Sequence, residues 1–174
     1  MRKTQRAAIF SLFWLAAIPT TSGQRGTTDS GLVGTWRLVS AEERIEDGRT
    51  MPLWGSTPAG RLMYDDRGRM SAQLMDPRRK PFASEDRLAG TAAEMRGAFE
   101  GYDAYFGSYA VDAKAGVVVH HVIGSLFPNL IGTDQRRFFV LSGNRLTLTT
   151  PPLLRGARRS TYVFVWEREG RSDA

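Results

Sequence analysis

Two histidines stand side by side in this chain, His120 and His121, and they are its only ones. An imidazole titrates near neutrality, so it can move a proton, ligate a metal or hold a polar ligand group. Adjacent side chains on a strand point to opposite faces, so this pair cannot close on one metal from a regular strand. The chain has no cysteine. Thiolate nucleophiles, disulfides and cysteine-based metal sites are therefore excluded. No histidine is spaced with carboxylates as a metal ligand, and the expectation is no metal and no cofactor.

Other polar side chains alternate within apolar runs nearby. Val117, Val119, His121 and Ile123 form one face, and Val118, His120 and Val122 the other. Both faces are apolar, so this run alone does not choose between them. Gln135, Arg137, Phe139 and Leu141 alternate with Asp134, Arg136, Phe138 and Val140. The interior set assigned here is Tyr64, Tyr105, Tyr109, His121 and Arg137. It offers hydroxyl, imidazole and guanidinium groups in an apolar lining, and suits an apolar ligand with a carboxylate or carbonyl. Three functions fit this cluster. The first is binding of a small hydrophobic or amphipathic molecule. The second is isomerase, cyclase or hydratase chemistry, with tyrosine and histidine as acid and base. The third is a filled structural or partner-binding core, with Trp54 and Phe127 as exposed anchors.

The elements that must position these residues are short strands. Alternation begins at Leu32 and runs through Trp36, Leu38 and Ser40, and Glu46-Asp47-Gly48 breaks it. Residues 61–64 and 69–75 flank the turn Asp65-Asp66-Arg67-Gly68, a hairpin pattern. Further strands are expected at 102–111, 117–123, 134–141, 145–150 and 161–167. Two prolines between 76 and 82 end the second hairpin. Ser84-Glu85-Asp86 then reads as a helix start with an acidic first turn. Leu88, Ala92, Met95 and Phe99 share one helical face, which predicts a helix over 85–99, placed to cap one end of the sheet. Eight strands in hairpin order predict an antiparallel meander that closes into a barrel, all-β with one inserted helix. A barrel of that size can hold one small ligand.

Residues 1–23 are of another kind. Arg2, Lys3 and Arg6 precede an uncharged apolar run, and small polar residues follow up to Gly23. That order predicts a signal peptide, export and no membrane span after cleavage. Residues 24–31 read as a flexible leader, 32–168 as the barrel and 169–174 as a tail. The chain carries 24 Lys+Arg against 18 Asp+Glu. Without the three basic residues of the leading segment the net charge falls from +6 to +3. Much of the basicity is thus targeting. The clusters Arg78-Arg79-Lys80 and Arg155 with Arg158-Arg159 sit in turn-like sequence, so no nucleic-acid partner is expected. No phosphate-binding loop and no Gly-x-Ser-x-Gly elbow occurs.

Gly34-Thr35-Trp36, on the first strand, resembles the Gly-x-Trp signature of lipocalins and the wider calycins. The segments Leu32-Val33-Gly34-Thr35-Trp36-Arg37-Leu38-Val39-Ser40, Gly60-Arg61-Leu62-Met63-Tyr64, Gly68-Arg69-Met70-Ser71-Ala72, Tyr105-Phe106-Gly107-Ser108-Tyr109 and Val119-His120-His121-Val122 together resemble a bacterial and fungal lipocalin-like domain family. The resemblance spans nearly all of residues 32–168. It implies an eight-stranded calycin barrel whose tryptophan closes the bottom near a basic residue of the last strand, here Arg168. A shared barrel implies little about activity.

Overall fold

The computed structural model describes residues 31–155 and 158–170. The predicted signal segment, most of the leader and the last four residues of the tail lie outside the described residues. Ten strands and one α-helix follow in order: β1 (Gly34–Ile45), β2 (Thr50–Pro52), β3 (Ala59–Tyr64), β4 (Arg69–Met75), α1 (Ala92–Glu100), β5 (Tyr102–Asp112), β6 (Val117–Ser125), β7 (Asp134–Ser142), β8 (Arg145–Thr149), β9 (Leu153–Arg155) and β10 (Arg158–Arg168). The sheet runs β2-β1-β3-β4-β5-β6-β7-β8-β10-β9, and β1 also pairs with β10. Eight antiparallel strands therefore close a barrel, while the short β2 and β9 extend two of its strands at one end. Closure pairs both edges that an open sheet would leave exposed.

The closing seam explains how β1 reaches Ile45. Trp36 lies opposite Arg168 and Leu38 opposite Trp166, but Ser40 lies opposite Val165. The register shift between Leu38 and Ser40 is a β-bulge, which inserts a residue and reverses the phase of the strand. Beyond it Ala41, Glu43 and Ile45 are the buried positions, not the Trp36, Leu38, Ser40 series that strict alternation predicts. A second register shift sets Phe106 opposite Gly124 but Gly107 opposite Val122, so the extra residue is Ile123 on β6. A Cβ on Gly107 would stand 1.9 Å from the His121 carbonyl oxygen, so only glycine allows that close approach.

The helix is shorter than its apolar spacing predicts. Thr91 caps it through a box: the Glu94 N–H donates to Thr91 Oγ1, and the Thr91 N–H donates to Glu94 Oε2. Residues 84–90 instead form turns, in which Ser84 Oγ accepts from the Asp86 N–H and Asp86 Oδ1 accepts from the Leu88 N–H. Short polar side chains that bond nearby backbone compete with helix. No residue of α1 is buried.

The bottom of the barrel is packed solid. Trp36, Leu62, Leu146 and Val118 are essentially inaccessible. The Arg168 guanidinium lies 4.1 Å over the Trp36 ring and donates to the carbonyls of Val33 at 2.7 Å and Gly31 at 2.5 Å. The Trp36 indole N–H donates to the Leu32 carbonyl at 2.9 Å. Gly34 has a φ of 142°, and a Cβ there would fall 2.4 Å from Arg168 Nη1. The glycine of the Gly34-Thr35-Trp36 signature thus leaves room for the arginine that covers the tryptophan.

Candidate functional site

Halfway up the barrel a polar chain crosses the apolar core. His120 on β6 is fully buried. Its Nε2 is 2.7 Å from the Tyr64 hydroxyl on β3, and its Nδ1 is 3.0 Å from the Tyr105 hydroxyl on β5. Burial, followed by the Arg137 and His121 charges, lowers His120 to about 3, so the ring is neutral at ordinary pH. A neutral imidazole has one donor and one acceptor. Each ring nitrogen takes one of those roles, so one phenol donates to the imidazole and the other accepts from it. The Arg137 charge acts on the Tyr105 hydroxyl against the effect of burial. Burial raises both phenols above their ordinary range, so they act as neutral hydroxyls.

His121 is not part of this chain. The sequence assigns it to the interior, but it faces outward, with Nδ1 2.6 Å from Asp134 Oδ1 and both side chains substantially exposed. The physical reason lies in register. The hairpin between β5 and β6 sets Tyr109 opposite His120 and Ser108 opposite His121, and Asp134 follows on β7. Cross-strand partners share a face, so the polar row Ser108, His121, Asp134 is the solvent side.

The other assigned residues divide. Tyr64, Tyr105 and Tyr109 are buried inside the barrel. The Tyr109 hydroxyl donates to the Asp65 carbonyl at 2.8 Å, towards the closed end, and its ring lies 4.7 Å from that of Tyr64. Of the five residues, Arg137 alone lines the open end.

That open end is a cavity of about 350 Å³, at the small end of the roughly 300–1,000 Å³ of ligand pockets. Its walls are largely aromatic and aliphatic: Trp54, Phe99 from α1, Phe127 and Leu130 from the β6–β7 connection, and Phe164 from β10. The polar groups are Glu100, Asp103, Gln135, Arg137, Thr150 and Tyr162. Trp54 is half-buried with a left-handed φ of 58°, and its indole N–H donates to the Glu100 carbonyl at 3.4 Å. Side chains read as partner anchors, Trp54 and Phe127, are therefore walls of the cavity. The end of α1 forms part of its rim. Burial raises Asp103 above the usual carboxylate range, against an opposing Ala104 N–H and the Arg137 charge. Sequence reading missed Asp103 and Gln135. Their signal was their place in the Tyr105 and Arg137 alternation.

The described residues hold no cluster of three or more potential metal ligands. No helix among them is long and apolar enough to cross a membrane. Arg78 is tied to Asp76 at 2.8 Å and holds that carboxylate at about 2, so part of the first basic cluster is neutralised locally.

Comparison with known proteins agrees with this architecture. The 4'-hydroxy-3'-methoxypropiophenone carrier protein ppsC of Aspergillus oryzae is 33% identical over 107 residues, 57% of this chain and 96% of the relative. A carrier among its relatives and a barrel with an open end suggest small-molecule binding. The family model of the lipocalin-like domain matches residues 33–169, and the chain belongs to that family.

Proposed function

We propose that this protein binds a small hydrophobic or amphipathic molecule in the cavity at the open end of the barrel, with the ligand's polar group on Arg137. One observation carries the reading. Arg137 enters an aromatic-walled cavity and forms no ion pair among the described residues. It donates to the Arg136 carbonyl at 2.8 Å, which leaves guanidinium donors for a ligand oxygen. A half-buried cation without a counter-ion is costly, and a ligand acceptor offsets that cost. The relative's printed role as a carrier of an aryl ketone supports the same reading. The polar chain of Tyr64, His120 and Tyr105 lies within the core behind the cavity and need not touch the ligand.

Titration with 4'-hydroxy-3'-methoxypropiophenone, read by quenching of Trp54 fluorescence and by calorimetry, tests this. Saturable binding with a rise in melting temperature is expected. Arg137→Met should weaken binding by about tenfold or more, as loss of a charge-assisted hydrogen bond does. Unaltered affinity in that variant would sink the assignment of Arg137.

A further inference from the structure

We propose that the cavity selects uncharged aromatic ligands carrying both a hydroxyl, which donates to Asp103, and a carbonyl, which accepts from Arg137, and that it discriminates against carboxylates. This rests on the reading of the same cavity as the ligand site. Three ionisable side chains of opposed sign line that cavity: Glu100 at the end of α1, Asp103 at the start of β5 and Arg137 on β7. Glu100 leans to the outside, 3.8 Å from Arg96. Asp103 forms no ion pair with any described residue. Its carboxyl meets the Ala104 N–H and feels the Arg137 charge without bonding to it.

Asp103 and Arg137 line one cavity, near enough for the Arg137 charge to act on the Asp103 carboxyl but with no ion pair between them. An aromatic ring among Phe99, Phe127 and Phe164, with a polar atom at each end, can present one group to each. A carboxylate at Arg137 would bring a second negative charge towards Asp103 in a partly desolvated cavity. Like charges there oppose ionisation, so an anion binds only if a proton comes with it. A neutral carbonyl meets Arg137 without that demand. The hydroxyl at the other end gives Asp103 a donor besides the Ala104 N–H.

Three probes separate the possibilities: 4-hydroxyacetophenone, 4-methoxyacetophenone and 4-hydroxybenzoate, titrated by calorimetry at pH 7.5 into wild type and Asp103→Asn. In wild type the hydroxy ketone should bind best. The methyl ether, which has lost the donor, and the carboxylate should each be weaker by about tenfold or more. Asp103→Asn keeps an acceptor for the hydroxyl but removes the charge. It should weaken the hydroxy ketone, whose hydroxyl loses a charged acceptor, and narrow the deficit of 4-hydroxybenzoate. Equal binding of the hydroxy ketone and the benzoate in wild type overturns the selectivity while the cavity reading stands, as does an unchanged ratio in a folded Asp103→Asn. Failure of all three probes in wild type overturns the cavity reading and the selectivity with it.

Discussion

His120 shows how a titratable residue can be structural. Its two ring nitrogens each meet a buried phenol, so protonation would replace the ring's acceptor with a second donor. The folded ring binds a proton only near pH 3, against 6.5 for the ordinary group. The stability it contributes is complete above pH 6.5 and is lost as pH falls towards 3. The slope within that window is about 1.4 kcal/mol per pH unit. Urea unfolding of the wild type should therefore lose about 2 kcal/mol between pH 7 and pH 5 from this group. His120→Asn should be less stable at pH 7 and should lose that portion of the slope. An equally steep fall in the variant would show that other groups dominate acid sensitivity. His121, exposed against Asp134, has no such burial behind it.

The closing seam between β1 and β10 is the element on which the barrel depends. Burial of the Trp36 ring, of about 200 Å², is worth on the order of 5 kcal/mol. Arg168 seals it with a cation over the ring and two hydrogen bonds to the carbonyls preceding β1. Arg168→Ala should cost about 2 kcal/mol, measured as a lower urea midpoint. Arg168→Lys should recover only part, because an ammonium cannot span both carbonyls while stacking. A variant as stable as wild type would refute this role. The helix is the opposite case. It is held by the Thr91–Glu94 capping box and buries none of its residues. Its contribution is to place Phe99 and Glu100 at the cavity rim rather than to hold the barrel together.

On the scale of the whole molecule, one end is packed and the other open. The bottom is filled by Trp36, Leu62 and Leu146, and polar side chains occupy the middle. The end that carries α1 and the β6–β7 connection holds the aromatic-walled cavity. Export is a proposal that rests on residues 1–23, where Arg2, Lys3 and Arg6 precede an uncharged apolar run. Expressed with its own leading segment in a secretion-competent bacterial host, the protein should be recovered outside the cytoplasm with a new N-terminus near residue 24. Intact mass spectrometry checks this, and an uncleaved cytoplasmic chain would overturn it.

Local pattern was enough to read the eight barrel strands, though not the short β2 and β9, because alternation and turn residues act between near neighbours. The turns at 65–68, 113–116 and 142–144 were legible in this way, and so was the closed eight-stranded plan, while Arg168 as the partner of Trp36 came from the resemblance of Gly34-Thr35-Trp36 to the lipocalin signature. The inward face of β6 was within reach by one further step. A four-residue turn at 113–116 sets Asp112 opposite Val117, and inward Tyr109 then requires inward His120. Alternation within β6 alone could not decide, since valines occupy both faces. Other features had no local signal. The bulge after Leu38 and the one at Ile123 follow from closing and curving the sheet, which is a property of all eight strands together. The helix start moved to Thr91 because competing turns at Ser84 and Asp86 are decided by where Phe82 and Ala83 are held, with the Ala83 N–H donating to Glu94 Oε1 at 2.8 Å. The meeting of Asp103 with Arg137 joins positions far apart in the chain. The sequence by itself determined that there would be a barrel and what would seal its base. Long-range pairing and curvature, which depend on every strand at once, decided which polar groups face one another inside it.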